Sequence, residues 1–104
     1  MRERFDQQLA NLDSHIQQMA DLSLSMLHDG LQSLMDLDRD GCEVVCGNIE
    51  PLASRDEEIE QEILRILATQ SPVAEDLRRL GLSLKLITYI NRVGRYGYDI
   101  AKLV

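Results

Sequence analysis

The residues able to do chemistry are few and scattered. His15 and His28 are the two histidines. If one helix carries both, they lie ~20 Å apart along its axis and more than half a turn apart in direction. They cannot act together on one substrate. Cys42 and Cys46 stand at i and i+4 and could offer two thiolates to a soft metal. A structural zinc site needs four ligands, and the chain has no other cysteine. The pair reads as small core residues. Asp36, Asp38 and Asp40, followed by Gly41, match the opening of a calcium loop. The twelfth position of such a loop is a bidentate glutamate, and here it is Gly47. The eighth position, usually apolar, is Glu43. A turn with helix-capping chemistry is the simpler reading. Asp56 and Glu60, inside the acidic run 56–62, could share a divalent cation, but such runs are commonly solvated helix faces. No nucleophile elbow, glycine-rich phosphate loop or HExxH occurs.

Helical periodicity dominates the elements around these residues. Phe5, Leu9, Leu12, Ile16, Met19, Ser23, Met26, Gly30 and Leu34 recur at spacings of four and three and predict one helical stripe. Leu22, Leu27, Leu31 and Leu37 widen it. A second stripe runs Cys42, Val45, Ile49, Leu52, Asp56, Ile59, Ile63, Ile66, Gln70, with a break expected just before Pro51. The third runs Leu77, Leu80, Leu84, Ile87, Asn91, Gly94, Tyr98, Ala101, with Ser71 expected as its cap and Pro72 as its first residue. Three helices of roughly 28 to 33 residues with short connections predict an all-α, up-down-up antiparallel three-helix bundle over residues 1–104. Ser23, Gly30, Gly94 and Gly97 leave small-residue seams expected to seat another helix, so the chain is expected to self-associate.

Charge narrows the function. The chain of 104 residues carries a net charge of −7. Such a field repels phosphates and argues against nonspecific nucleic-acid binding and against anionic membranes. No apolar run reaches the ~18 residues of a membrane span, and no secretory signal opens the sequence. Two cysteines make no disulfide framework, and a cytoplasmic location follows as the expectation. Charge is also segregated. Residues 74–104 hold six basic and three acidic side chains, and the remainder holds five basic and fifteen acidic. Arg78, Lys85 and Arg92 are seven apart and line one flank of the third helix. Salt bridging to the neighbouring acidic helices is the ordinary expectation for such a flank; partner docking is the alternative.

Gln70-Ser71-Pro72-Val73-Ala74-Glu75-Asp76-Leu77-Arg78 resembles the Q-x-P-V-A-x-D-L-R signature of the PhoU family. Met1 to Leu9 is similar to the start of many members, and Asp56 to Ile66 to the family's second helix. Asn91-Arg92-Val93-Gly94 falls where the family has E-R-I-G-D. The resemblance implies a regulator of phosphate uptake that works as a cytoplasmic adaptor rather than an enzyme. It implies partners such as a phosphate-transporter ATPase subunit or a sensor histidine kinase. The usual chain holds two tandem three-helix repeats, and 101–104 carries no Gly or Asn stop signal. This sequence is therefore expected to be the first repeat of a longer protein.

Some members hold divalent or iron clusters through an E/D-x-x-x-D motif on the third helix. Those positions are Asn91 and Arg95 here, and an acidic position common on the second helix is Ala53. The family's metal chemistry is not expected to carry over, and no cofactor is expected. Asp76, Arg78, Lys85, Arg92 and Asp99 are the candidate partner-binding residues. Asp76 and the other matched signature residues also have structural readings, as first-turn and packing groups. Two rivals stand beside the adaptor: a dimerising scaffold domain of another transporter or channel regulator, and a metal-storing bundle.

Overall fold

The computed structural model describes residues 2–104. The resemblance that opens at Met1 begins outside the described residues. Four helices follow in order: α1 (Arg2–Met35), α2 (Arg39–Cys46), α3 (Ile49–Gln70) and α4 (Ala74–Ala101). They make three legs, because α2 and α3 form one descending leg in two pieces. The bundle measures 53 × 18 × 16 Å, close to the length that 34 residues of α1 give at ~1.5 Å each. No helix among the described residues is long and apolar enough to cross a membrane.

The expected break before Pro51 falls at Gly47 and Asn48. Gly47 closes α2, and Pro51 then sits in the first turn of α3, where its missing N–H costs nothing. The turn before α2 is capping chemistry. Asp38 is the N-cap, and its carboxylate accepts the Gly41 N–H at 3.0 Å. The start of α4 differs from expectation. Ser71 closes α3 in a left-handed conformation (φ 45°), Pro72 lies in the linker, and α4 begins at Ala74 behind an extended Val73. Ala74 is also left-handed (φ 52°). With no glycine in this linker, each such residue costs ~1–2 kcal/mol.

The core follows the stripes closely. Leu12, Met19, Met26, Leu52, Ile63 and Leu80 are at most 1% exposed, each worth about 1.5–3 kcal/mol of transfer free energy. Four expected core positions do not hold. Leu31 and Leu37 are exposed, Leu37 in the turn at φ 53°. Ser33 is buried in place of Leu34, because α2 packs there: a Cβ on Gly41 would lie 2.5 Å from Ser33 Oγ. Leu77 is 49% exposed, while Ser83 and Gly97 are buried.

That last shift follows from how α1 meets α4. The two helices run parallel, matched in level by Asp13 with Arg79, Ser23 with Ile90 and Gly30 with Gly97. Ser23 donates its hydroxyl hydrogen to the Ile90 carbonyl at 2.5 Å. A Cβ on Gly30 would lie 2.5 Å from the Gly97 carbonyl oxygen, and one on Gly97 would collide with the Met26 backbone. A Cβ on Gly94 would meet Leu52 at 2.5 Å. The small-residue seam is therefore filled by the chain itself. The expectation that it seats another helix is overturned.

Candidate functional site

α4 buries Leu80 and Ile87 together with its small residues Ser83, Gly94, Gly97 and Ala101, and leaves its charged and several large apolar residues on the surface. Arg78, Lys85 and Arg92 lie exposed along its outer crest, with Asp99 continuing the row. Among the described residues, none of the three cations enters an ion pair. Arg92 stacks over the Tyr89 ring at 5.7 Å. The expected salt bridges to the acidic helices are thus corrected. The α4 cation that does bridge is Arg79, which reaches Asp13 of α1. Geometry explains the difference: Arg79 sits on the flank beside α1, and the row of sevens points away from both neighbours.

Asp76 stands apart from the row. Its carboxylate accepts from Arg2 at 2.8 Å, and its side chain is 28% exposed. The hydrogen bond to Asp76, with the nearby Asp6 charge, pushes the Arg2 guanidinium further up. This contact ties the start of α4 to the start of α1, so Asp76 holds structure where the crest residues do not.

The other titratable groups are occupied. His15 meets Glu62 of α3 at 2.8 Å, and Arg55 donates to Gln18 at 2.8 Å, lacing α1 to α3. These pairs line an open groove with Glu58 and Arg65. His28 sits beside Asp29 at 3.1 Å, far from His15. Cys42 is buried and Cys46 half-buried. Burial pushes the Cys42 thiol up, which disfavours the thiolate that metal binding or attack requires.

The family's metal positions make no donor set here. Asn91 spends its amide donating to Asp56 Oδ2 at 3.2 Å. Arg95 puts a cation one turn further along, and Ala53 has no donor. Asp56 itself is pushed up by burial and then by the Glu60 charge. No group of three or more His, Cys, Asp or Glu able to hold a metal occurs among the described residues.

The PhoU domain matches residues 16–104. The chain belongs to the PhoU family. It is 31% identical to the phosphate-specific transport system accessory protein PhoU homolog of Clostridium acetobutylicum, over 99% of this chain and 48% of that protein. PhoU homolog 1 of Mycobacterium leprae is 29% identical over 98% of this chain and 46% of its own length. PhoU homolog 2 of Mycobacterium tuberculosis is 28% identical over 99% and 48%. The chain thus spans about half the length of these PhoU relatives. No solved structure matches significantly. Within the PhoU signature at 70–79, Asp76 is a helix-pairing residue and Arg78 an unpaired surface cation. Sequence reasoning missed one member of the outer face, the exposed aromatic pair Tyr89 and Tyr96. Their seven-residue spacing, in step with the basic row, was the available signal.

Proposed function

We propose that this chain is an accessory, regulatory component of a phosphate-specific transport system, and that it acts by binding rather than by catalysis. The likeness to accessory proteins along nearly its whole length supports the role. The observation that carries a binding mode is the row Arg78, Lys85 and Arg92, three exposed cations with no partner among the described residues on a chain of net charge −7. Cations left unpaired beside acidic helices suit an acidic surface on another protein. The partner is a phosphate-transporter ATPase subunit or a sensor histidine kinase, met in the cytoplasm. Asp99 borders that contact, and Asp76 supports it by fixing the start of α4. The half-length match fits one three-helix repeat of a two-repeat protein.

The test is a pull-down from phosphate-starved and phosphate-fed cells, with the tagged chain as bait and mass spectrometry as readout. A phosphate-transporter ATPase or its kinase should be recovered by the unaltered chain and lost with Arg78→Glu plus Lys85→Glu. Recovery of a different transporter would favour the dimerising-scaffold role instead. Recovery undiminished by the charge reversals would remove the basic row from the contact.

A further inference from the structure

α4 carries a second apolar stripe that the fold leaves uncovered. Leu82, Leu86, Tyr89, Val93, Tyr96 and Ile100 alternate at spacings of four and three. Val93 and Ile100 are half-buried and the other four are exposed. This is the spacing at which one helix packs along another, and it is sustained over ~27 Å at ~1.5 Å per residue. The stripe starts just past Arg79, which turns aside to Asp13 of α1. Its two borders differ. On the α1 side stand Ser83 and Gly97, both buried, and Ile90, whose carbonyl accepts from Ser23. That border is closed. On the other side stand Arg78, Lys85, Arg92 and Asp99, seven apart and exposed, and none of them enters an ion pair among the described residues. Beyond the closed border α1 adds Leu24 and Leu31, both exposed. The contacts Ser23–Ile90 and Gly30–Gly97 bring them level with the second half of the stripe.

The pattern says what fits it. An apolar seam that repeats in step with the helix takes another helix, whose side chains repeat in the same step. A lipid surface suits a face with basic residues on both borders, whereas here the α1 side carries Asp6 and Asp21. We propose that this seam docks one amphipathic helix of a partner protein, with apolar residues at the same spacing of four and three and acidic residues every seven along the flank that meets Arg78, Lys85 and Arg92. Residues bordering a two-helix seam pair across it and choose the partner. Three cations in a row choose carboxylates. Asp99 stands at the same border position one heptad on and chooses a base. A partner helix slid along by one heptad would set a carboxylate against Asp99, so the row fixes register as well as sign. The other flank of the docked helix lies over Leu24 and Leu31 of α1. The inference rests on the docking reading of the basic row and adds the shape and charge pattern of what docks.

Two synthetic three-heptad peptides test this, both with Leu at the seam positions, one with Glu and the other with Lys at the bordering positions. Like charges keep each peptide from pairing with itself. Binding to the 104-residue chain is read by fluorescence anisotropy. The Glu peptide is expected to bind roughly tenfold more tightly than the Lys peptide, and to weaken as salt rises. Arg78→Glu plus Lys85→Glu should reverse that preference. Tyr89→Asp should abolish binding of the Glu peptide, with its circular-dichroism melt recorded as the control for folding. Equal binding of both peptides, binding of neither up to submillimolar concentration, or capture of anionic lipid vesicles in preference to the Glu peptide overturns the proposal. If neither peptide binds while the pull-down still depends on the basic row, the docking reading stands and the helix is wrong. If the Glu peptide binds while no transport component is recovered, the helix stands and the transport reading is wrong.

Discussion

Over its last turns α4 carries small residues on the side that faces α1 and large ones on the side that faces away. Inward lie Ser83, Gly94, Gly97 and Ala101, all buried, with α1 so close that a single added carbon at Gly97 would meet backbone. Outward lie Leu82, Leu86, Tyr89 and Tyr96, each about half exposed, beside three unpaired cations. Nearer its start α4 also buries two large groups, Leu80 and Ile87. Small residues inward let the backbones approach and gain close contact along the seam. Large residues outward gain nothing within this chain. The inner side is where the two helices lock together, and the outer side is free of contacts within the fold.

Substitutions on the two sides should therefore separate stability from binding. The largest effect is expected at Gly97→Val, where the new side chain must force α1 and α4 apart. A loss of about 3 kcal/mol or more in urea unfolding is the expected outcome. Leu52→Ala follows, at about 2–4 kcal/mol, because Leu52 is fully buried and packs over Gly94. If Gly97→Val costs no more than Leu52→Ala, the seam is more pliable than its contacts imply. Asp38→Ala removes the cap of α2 and should cost ~1 kcal/mol. On the outer side, Arg78→Glu plus Lys85→Glu should change stability by no more than ~0.5 kcal/mol, since neither side chain enters an ion pair in the fold. A large drop in melting temperature there would end the contrast between the sides.

The smallest expected effect concerns Asp56. Burial and Glu60 raise its pKa above the ordinary value of 3.8, so the folded chain holds its proton to higher pH than the unfolded chain does. Ionisation of Asp56 then opposes folding, and its share of stability falls as pH rises through that window. Asp56→Asn should match or slightly exceed the unaltered chain at neutral pH. That advantage should vanish in acid below the ordinary carboxylate pKa, as read from urea titrations at several pH values.

The periodicity of α1 was readable almost to the end, because a single stripe at spacings of four and three meets both neighbours. It failed at Leu34, where a short helix packs on Ser33 and takes the burial. In α4 the stripe through Leu77, Leu84 and Asn91 follows the large residues. Burial there keeps Leu80 and Ile87 but adds the small residues Ser83 and Gly97, since contact with a parallel helix rewards close approach. The linker misled for a similar reason. Ser-Pro chemistry suits a helix start, yet Ser71 was needed to end α3. The basic row was visible in the spacing of Arg78, Lys85 and Arg92. That it stays unpaired was not, because pairing depends on which way the helix is rotated, and the glycines set that rotation.

The interruption at Gly47 and Asn48 has a consequence for motion. It makes α2 a separate unit of eight residues, held by two buried anchors, Cys42 and Val45. Such a unit can open without unfolding the legs around it. In native-state hydrogen exchange, its amides should exchange well before those in the middle of α1 and α3, whose protection reports whole-bundle unfolding. Opening would also bring the Cys42 thiol to solvent, so thiol labelling under native conditions would keep time with the loosening of this one short segment.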